Sequence, residues 1–216
     1  MTELILDIET IPDNMLLPEL KPVCKLGNLK DPKKIEAKMA GWEGGPEQVK
    51  AMSVSPFMCK IVSIQAWSSI EQGYIAPESH EEADMLTFID KAIEEHQLII
   101  GHNLIGFDLQ VINARAMITG HDSKDGIFKI GKAKRYSNNP FYDTMQVLAG
   151  WDRDKWKGLD WWCQRLGLEG KSGEGCKVYQ MYLDGQRDDI DEYCRDDVKA
   201  TKALYDRIKK YYEYYK

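Results

Sequence analysis

The chain has no apolar run approaching the ~18 residues that a membrane span needs, and its five cysteines (24, 59, 163, 176 and 194) form no C-x-x-C pair. An odd number at wide spacing excludes a disulfide framework and a structural zinc site, and fits buried free thiols in a reducing compartment. Met1-Thr2-Glu3 offers no basic leader segment and Asp7 follows soon after, so the expected location is cytoplasmic, with no membrane involvement. A surplus of positive charge is missing as well. Twenty-nine basic against thirty-five acidic residues leave a net charge of -6, the wrong sign overall for a polyanionic partner. The charges are segregated, however. Residues 71–96 hold eight acids against Lys91 alone, whereas 124–135 hold Lys124, Lys129, Lys132, Lys134 and Arg135 against Asp125. The stretch 21–38 adds Lys21, Lys25, Lys30, Lys33, Lys34 and Lys38 against Asp31 and Glu36. Ordinary solvated loops account for such segments, and so does a cationic side able to take a polyanion.

What is present suits one α/β domain over 1–216, long enough to bury a core and too short for a polymerase or helicase beside a second enzyme. Leu4–Ile8 reads as a central strand, Met58–Trp67 as a second, Gly73–Ile75 as a short third and Leu98–Ile100 as another buried strand. Residues 80–96 form an amphipathic helix with Met85, Leu86, Ile89 and Ile93 on one stripe. Further helices are expected from about Gly106 to Ile118, over 143–150, 158–167 and 174–184, and from Asp188 to Tyr212. The basic segment 121–139 reads as a loop with room for a short strand. Strands alternating with helices predict a mostly parallel sheet. Residues 11–57, rich in proline, are an insertion between the first two strands, with helices of their own over 31–40 and 46–53.

Carboxylates carry the functional signal. Alternation along the first strand puts Ile5, Asp7 and Glu9 on one face and Leu4, Leu6 and Ile8 on the other. Two acids thus share a face at the carboxyl end of a central strand, where open α/β sheets bind ligands, although a strand end emerging into water also accepts D-x-E. On the final helix, Asp197 falls on the apolar stripe of Ile190, Cys194, Thr201, Leu204, Ile208 and Tyr211 or Tyr212, with Tyr193 one turn earlier, while Asp196 points to water. Asp108 opens the helix after Leu98–Ile100, where capping alone would explain it. An inward carboxylate needs hydrogen bonds, a shifted pKa or a cation. Asp7, Glu9, Asp108 and Asp197 converge on one end of one sheet. An all-oxygen cluster of this kind suits two Mg²⁺ or Mn²⁺ ions, which in pairs activate water and stabilise the leaving oxygen at a phosphodiester.

LDIET with Asp7 and Glu9, HNLIGFD with Asp108, and YCRDD with Tyr193 and Asp197 resemble the three motifs of DEDDy 3′–5′ exonucleases. Their order is most similar to that in the proofreading domain of B-family DNA polymerases. The resemblance implies a ribonuclease H-like fold, a five-stranded mixed sheet with the second strand antiparallel and helices on its flanks. It implies a stand-alone exonuclease that acts on single-stranded nucleic acid, DNA before RNA, with a replication or repair protein as a further partner. Asp7, Glu9, Asp108 and Asp197 would hold the ions. Tyr193, neutral at pH 7 given a reference pKa of ~10, would orient the attacking water. Thr10, Asn103 and Phe107 would contact the 3′-terminal nucleotides, although Phe107 equally fits plain core. The family's lysine has two candidates, Lys157 and Lys171. Asp143 reads as a helix cap, and His102 and the other histidines as incidental. An RNA exonuclease and a non-catalytic nucleic-acid-binding subunit of the same fold are the alternatives, the oligomeric state staying open.

Overall fold

The computed structural model describes residues 1–123, 126–134, 136–170 and 177–212, of which the Tyr212 side chain is excluded. Lys124, Asp125, Arg135, Lys171, Cys176 and the tail tyrosines 214 and 215 lie outside the described residues, as does the 174–176 part of the expected helix.

Five strands form one sheet: β1 (Glu3–Pro12), β2 (Cys59–Ser68), β3 (Gly73–Ile75), β4 (Leu98–Gly101) and β5 (Phe141–Asp143), in the order β3-β2-β1-β4-β5. β2 runs antiparallel to both β1 and β3, while β4 pairs in parallel with β1 and β5. The sheet is therefore mixed, as the resemblance implies, and the mostly parallel sheet expected from strand–helix alternation is corrected. A direct β2–β3 hairpin and an antiparallel return to β1 need no crossover helix. The fifth strand is Phe141–Asp143, just beyond the loop where a short strand had room. Inside that loop lies a short helix instead, α5 (Gly126–Ile130).

The remaining helices are α1 (Pro32–Ala40), α2 (Pro46–Ser53), α3 (Glu82–Glu95), α4 (Asp108–Thr119), α6 (Thr144–Leu148), α7 (Leu159–Leu166), α8 (Val178–Leu183) and α9 (Arg187–Tyr212). The two faces of β1 divide as alternation requires. Leu4, Leu6 and Ile8 join α3 and α4 in the larger core, with Leu86, Ile89, Ile93, Val111 and Ile112. Ile5 packs toward α9 with Ile100, Val198 and Tyr205. Asp7 and Glu9 therefore face α9. On that helix Ile190, Cys194, Thr201, Leu204 and Ile208 are buried, whereas Tyr211 is exposed and does not extend the stripe.

The 11–57 insertion contains the two expected helices. α1 buries none of its side chains, whereas α2 buries Gln48 and Met52 and packs on β1. Its last residue reaches the end of β1 directly, since Thr10 Oγ1 donates to the Ser53 carbonyl at 2.7 Å. Next to this junction β2 bulges: Glu9 pairs with Ser63 but Thr10 pairs with Ile61, which leaves Val62 as the extra residue. Bulges bend a strand and raise its twist, and they recur at sheet edges and beside sites.

Candidate active site

Asp7 and Glu9 project from the carboxyl half of β1, and their carboxylate oxygens lie with Cys194 Sγ inside a 4.8 Å cluster. Cys194 comes from α9, and its thiol donates to the Asp7 carbonyl at 3.3 Å, with Asp7 Oδ2 at 3.7 Å. Burial and the neighbouring charges of Asp7 and Glu9 push that thiol well above its usual range, so it stays a neutral donor. Asp197, one turn further along α9, is 7% exposed. Its charge bears on Cys194, on Asp108 and on Cys163 of α7.

Asp108 sits at the first position of α4 and is 4% exposed. Burial, aided by the Asp143 and Asp197 charges, pushes its carboxyl up to about 8, while the backbone amides of Asp108 and Ile8 pull the other way. The Ile8 amide ties Asp108 to the β1 residue between Asp7 and Glu9. The four acids named from sequence therefore meet at one end of the sheet, linked through Cys194, Asp197 and the Ile8 amide. Tyr193 is 5% exposed, its ring packed with Ile11, Val62, Val178 and Ile190 beside the end of β1. Asp196 points the other way and pairs with Lys199 at 2.7 Å.

The turn that delivers Asp108 is organised by Asp143. This fully buried acid caps α6 by accepting from the Met145 and Gln146 amides, and Gln146 Nε2 donates to it at 3.0 Å. It also accepts from the Asn103 and Ile105 amides at 3.1 and 3.0 Å. Burial raises its pKa, and the four amides oppose that shift. Asn103 is left-handed, with φ 64°, and its Oδ1 packs so close to Gly106 that a Cβ there would lie 2.2 Å from it. Only glycine fits at 106 while Asn103 keeps this position.

Sequence reasoning missed three features. Cys194 lies inside the acid cluster, although it reads as plain core. His102, read as incidental, is a clasp: its ring nitrogens lie 2.9 Å from Thr144 Oγ1 and 3.0 Å from the Lys157 carbonyl. A carbonyl only accepts, so Nε2 is the donor there. Arg115, 5% exposed, bridges Asp13 at 2.6 Å and Glu82 at 2.7 Å, joining α4, α3 and the segment after β1. Its i, i+7 spacing from Asp108 was visible, but its partners were distant in sequence.

Other expected contacts are placed differently. The Lys157 side chain is exposed, with Nζ 5.9 Å from the Trp161 ring centroid. The Thr10 hydroxyl serves the Ser53 carbonyl. Lys129, in the cationic segment 124–135, donates to the Ile93 and Glu94 carbonyls at the end of α3, which precedes β4. Asp108 follows the other end of β4, so this lysine of the cationic side lies at the opposite end of the sheet from the acids.

A mixed sheet in this order, with helices on both faces, defines a ribonuclease H-like fold. The chain belongs to the family described as predicted 3′–5′ exonucleases related to the exonuclease domain of PolB, whose model matches residues 52–214. That match begins after β1, so Asp7 and Glu9 lie outside it. The structure is similar to the family B DNA polymerase of the hyperthermophilic archaeon Pyrobaculum calidifontis, with a TM-score of 0.60 and 17% identity over 96% of this chain. The chain spans 24% of that polymerase's length. Comparison with curated protein sequences gives no match. Among the described residues no helix is long and apolar enough to cross a membrane.

Proposed function

We propose that this chain is a 3′–5′ exonuclease that removes nucleoside 5′-monophosphates from single-stranded DNA with two divalent cations, Mg²⁺ or Mn²⁺. One observation carries this reading. Asp7 and Glu9 of β1 cluster with Cys194 of α9 within 4.8 Å, and the buried Asp108 of α4 is bonded by the Ile8 amide between them and lies within reach of the Asp197 charge. Such a cluster suits a hard cation by its donor chemistry and gains nothing from bare phosphate. Asp7, Glu9, Asp108 and Asp197 would hold the ions, which supply charge neutralisation at the phosphate and activation of water.

The chain's own residues supply position. Tyr193 orients the attacking water by hydrogen bonding. Cys194 keeps the Asp7 strand against α9, and Asp143 fixes the loop that presents Asn103 and Phe107 to the terminal nucleotides. Water adds to the terminal phosphorus, the P–O3′ bond breaks, and the shortened strand leaves with a new 3′-hydroxyl. Thr10 and Lys157 contribute through backbone placement of the rim more than through their polar heads.

The test is digestion of 5′-labelled single strands, DNA and RNA in parallel, with Mg²⁺, Mn²⁺ or EDTA. A ladder shortening from the 3′ end, lost in EDTA and in Asp7→Ala, is the expected result. Metal-dependent cutting that survives in Asp7→Ala removes the assignment, and faster loss of RNA transfers the activity to that substrate.

A further inference from the structure

Along the loop that delivers Asp108 lies an open cleft of about 560 Å³, within the size range of small-molecule sites. Two of its walls come from segments already tied to the site. Asn103, Gly106 and Phe107 belong to the loop that delivers Asp108. Val54 follows Ser53, whose carbonyl holds Thr10 beside Glu9. The third wall is Trp156 with Arg153, in the turn between α6 and α7, to which neither composition nor motif gave a role.

This third wall is built to hold a shape. The Arg153 guanidinium lies 5.3 Å from the Trp156 ring centroid. The Asp152 side chain caps the turn by accepting from the Asp154 amide at 3.1 Å, and the Trp156 amide donates to the Arg153 carbonyl at 3.3 Å. The next residue is anchored from the sheet by His102 Nε2 on the Lys157 carbonyl. Trp156 Nε1 is shielded from solvent and has no hydrogen-bond partner among the described residues. The ring, not the shielded N–H, is therefore what Trp156 offers to the cleft.

We infer that Trp156 and Phe107 form a nucleobase-holding subsite, with Arg153 on the flanking phosphate, that seats the end of the single strand beside the acids. Aromatic rings bind any base through its π-face, and a guanidinium suits both phosphate and an aromatic neighbour. The cleft also supplies a cationic side chain to the site that the basic segment around Lys129 does not reach. This inference rests on the exonuclease reading and extends it to the way the strand is gripped.

The experiment is fluorescence anisotropy of a 5′-labelled oligo(dT) in EDTA, so that affinity is read without turnover, with digestion in Mn²⁺ measured alongside. Trp156→Ala is expected to weaken binding about five- to 100-fold, as loss of one stacked base does. Trp156→Phe should restore most of it, which a merely structural role for the indole would not. Arg153→Ala should reduce the dependence of affinity on salt by about one phosphate contact. Trp161→Ala, on α7 and outside the cleft, should bind as wild type. Unchanged affinity in Trp156→Ala, with digestion intact in the wild-type chain, overturns the subsite and leaves the nuclease standing. Failure of the wild-type chain both to bind and to digest strands overturns both.

Discussion

Asp108→Asn removes a carboxyl that the metal-free fold holds in its protonated form. The folded pKa of about 8 lies above the unfolded value of 3.8. The stabilising contribution is therefore complete below the unfolded value and is lost as pH rises through the folded one. Across that window the native group keeps a proton that the unfolded chain releases, so each pH unit removes about 1.4 kcal/mol. At pH 7 the accumulated loss is bounded by about 4 kcal/mol. Asparagine has no such proton to lose and still offers an oxygen to the Ile8 amide. In EDTA the variant should melt close to wild type at pH 4 and about 5–10 °C higher at pH 7, given ~2–4 °C per kcal/mol at this length. Adding Mn²⁺ should reverse the order, raising the wild-type melting temperature and leaving the variant almost unmoved. Calorimetry in two buffers of different ionisation enthalpy should show release of up to about one proton per loaded site at pH 7. Parallel melting profiles of the two proteins in EDTA from pH 4 to pH 8 would refute the reasoning, because Asp108 would then be ionised without a cation.

The other predictions concern the supports of the site. Tyr193→Phe keeps the ring in its apolar seat, so kcat should fall ~10²-fold or more with strand affinity little changed, whereas Asp196→Ala should keep most activity. Gly106→Ala puts a methyl group on Asn103 Oδ1; activity should drop at least tenfold by displacement of the loop, with the loss visible in kcat and KM together. Arg115→Met leaves the buried Asp13 and the partly buried Glu82 without their cation and should cost about 3 kcal/mol in denaturant unfolding. His102→Ala frees the Lys157 carbonyl, and hydrogen exchange at the 153–158 amides should quicken while the sheet amides keep their protection.

Much of the fold was legible because its signals are local. The first strand, the amphipathic helix 80–96 and the long last helix each display a periodicity that packing then used as written, Asp197 inward and Asp196 outward included. The antiparallel setting of β2 was not local. Strand–helix alternation favours parallel order, and only the motif resemblance pointed to the mixed sheet. β5 escaped notice because three residues, Phe141–Asp143, carry too little pattern to separate from the helix that follows. The acids were legible as residues of unusual placement, on a strand's buried half or a helix's apolar stripe. The lysines were not, since a cation in a loop carries no periodicity. Lys129 went to the carbonyls ending α3, and the cationic wall of the cleft came from Arg153, in a turn with no motif.

The partners of Arg115 show how the chain holds its acid-bearing elements together. Two such elements, β1 and α4, meet where the Ile8 amide bonds Asp108, and they are joined a second time beyond the end of the strand. Arg115 lies two turns along α4 from Asp108 and binds Asp13, just past the end of β1, together with Glu82 at the start of α3. The clamp thus joins the same two elements from outside the cluster. Asp143 does the same for the loop before α4, with four amides and a side-chain amide absorbing its charge in place of a counter-ion. Inside the clamp, Asp7 and Glu9 share their cluster with the Cys194 thiol, and Asp108 is raised by burial together with the Asp143 and Asp197 charges. In the proposed mechanism these carboxylates are the donors for a divalent cation, and the clamp lies outside them.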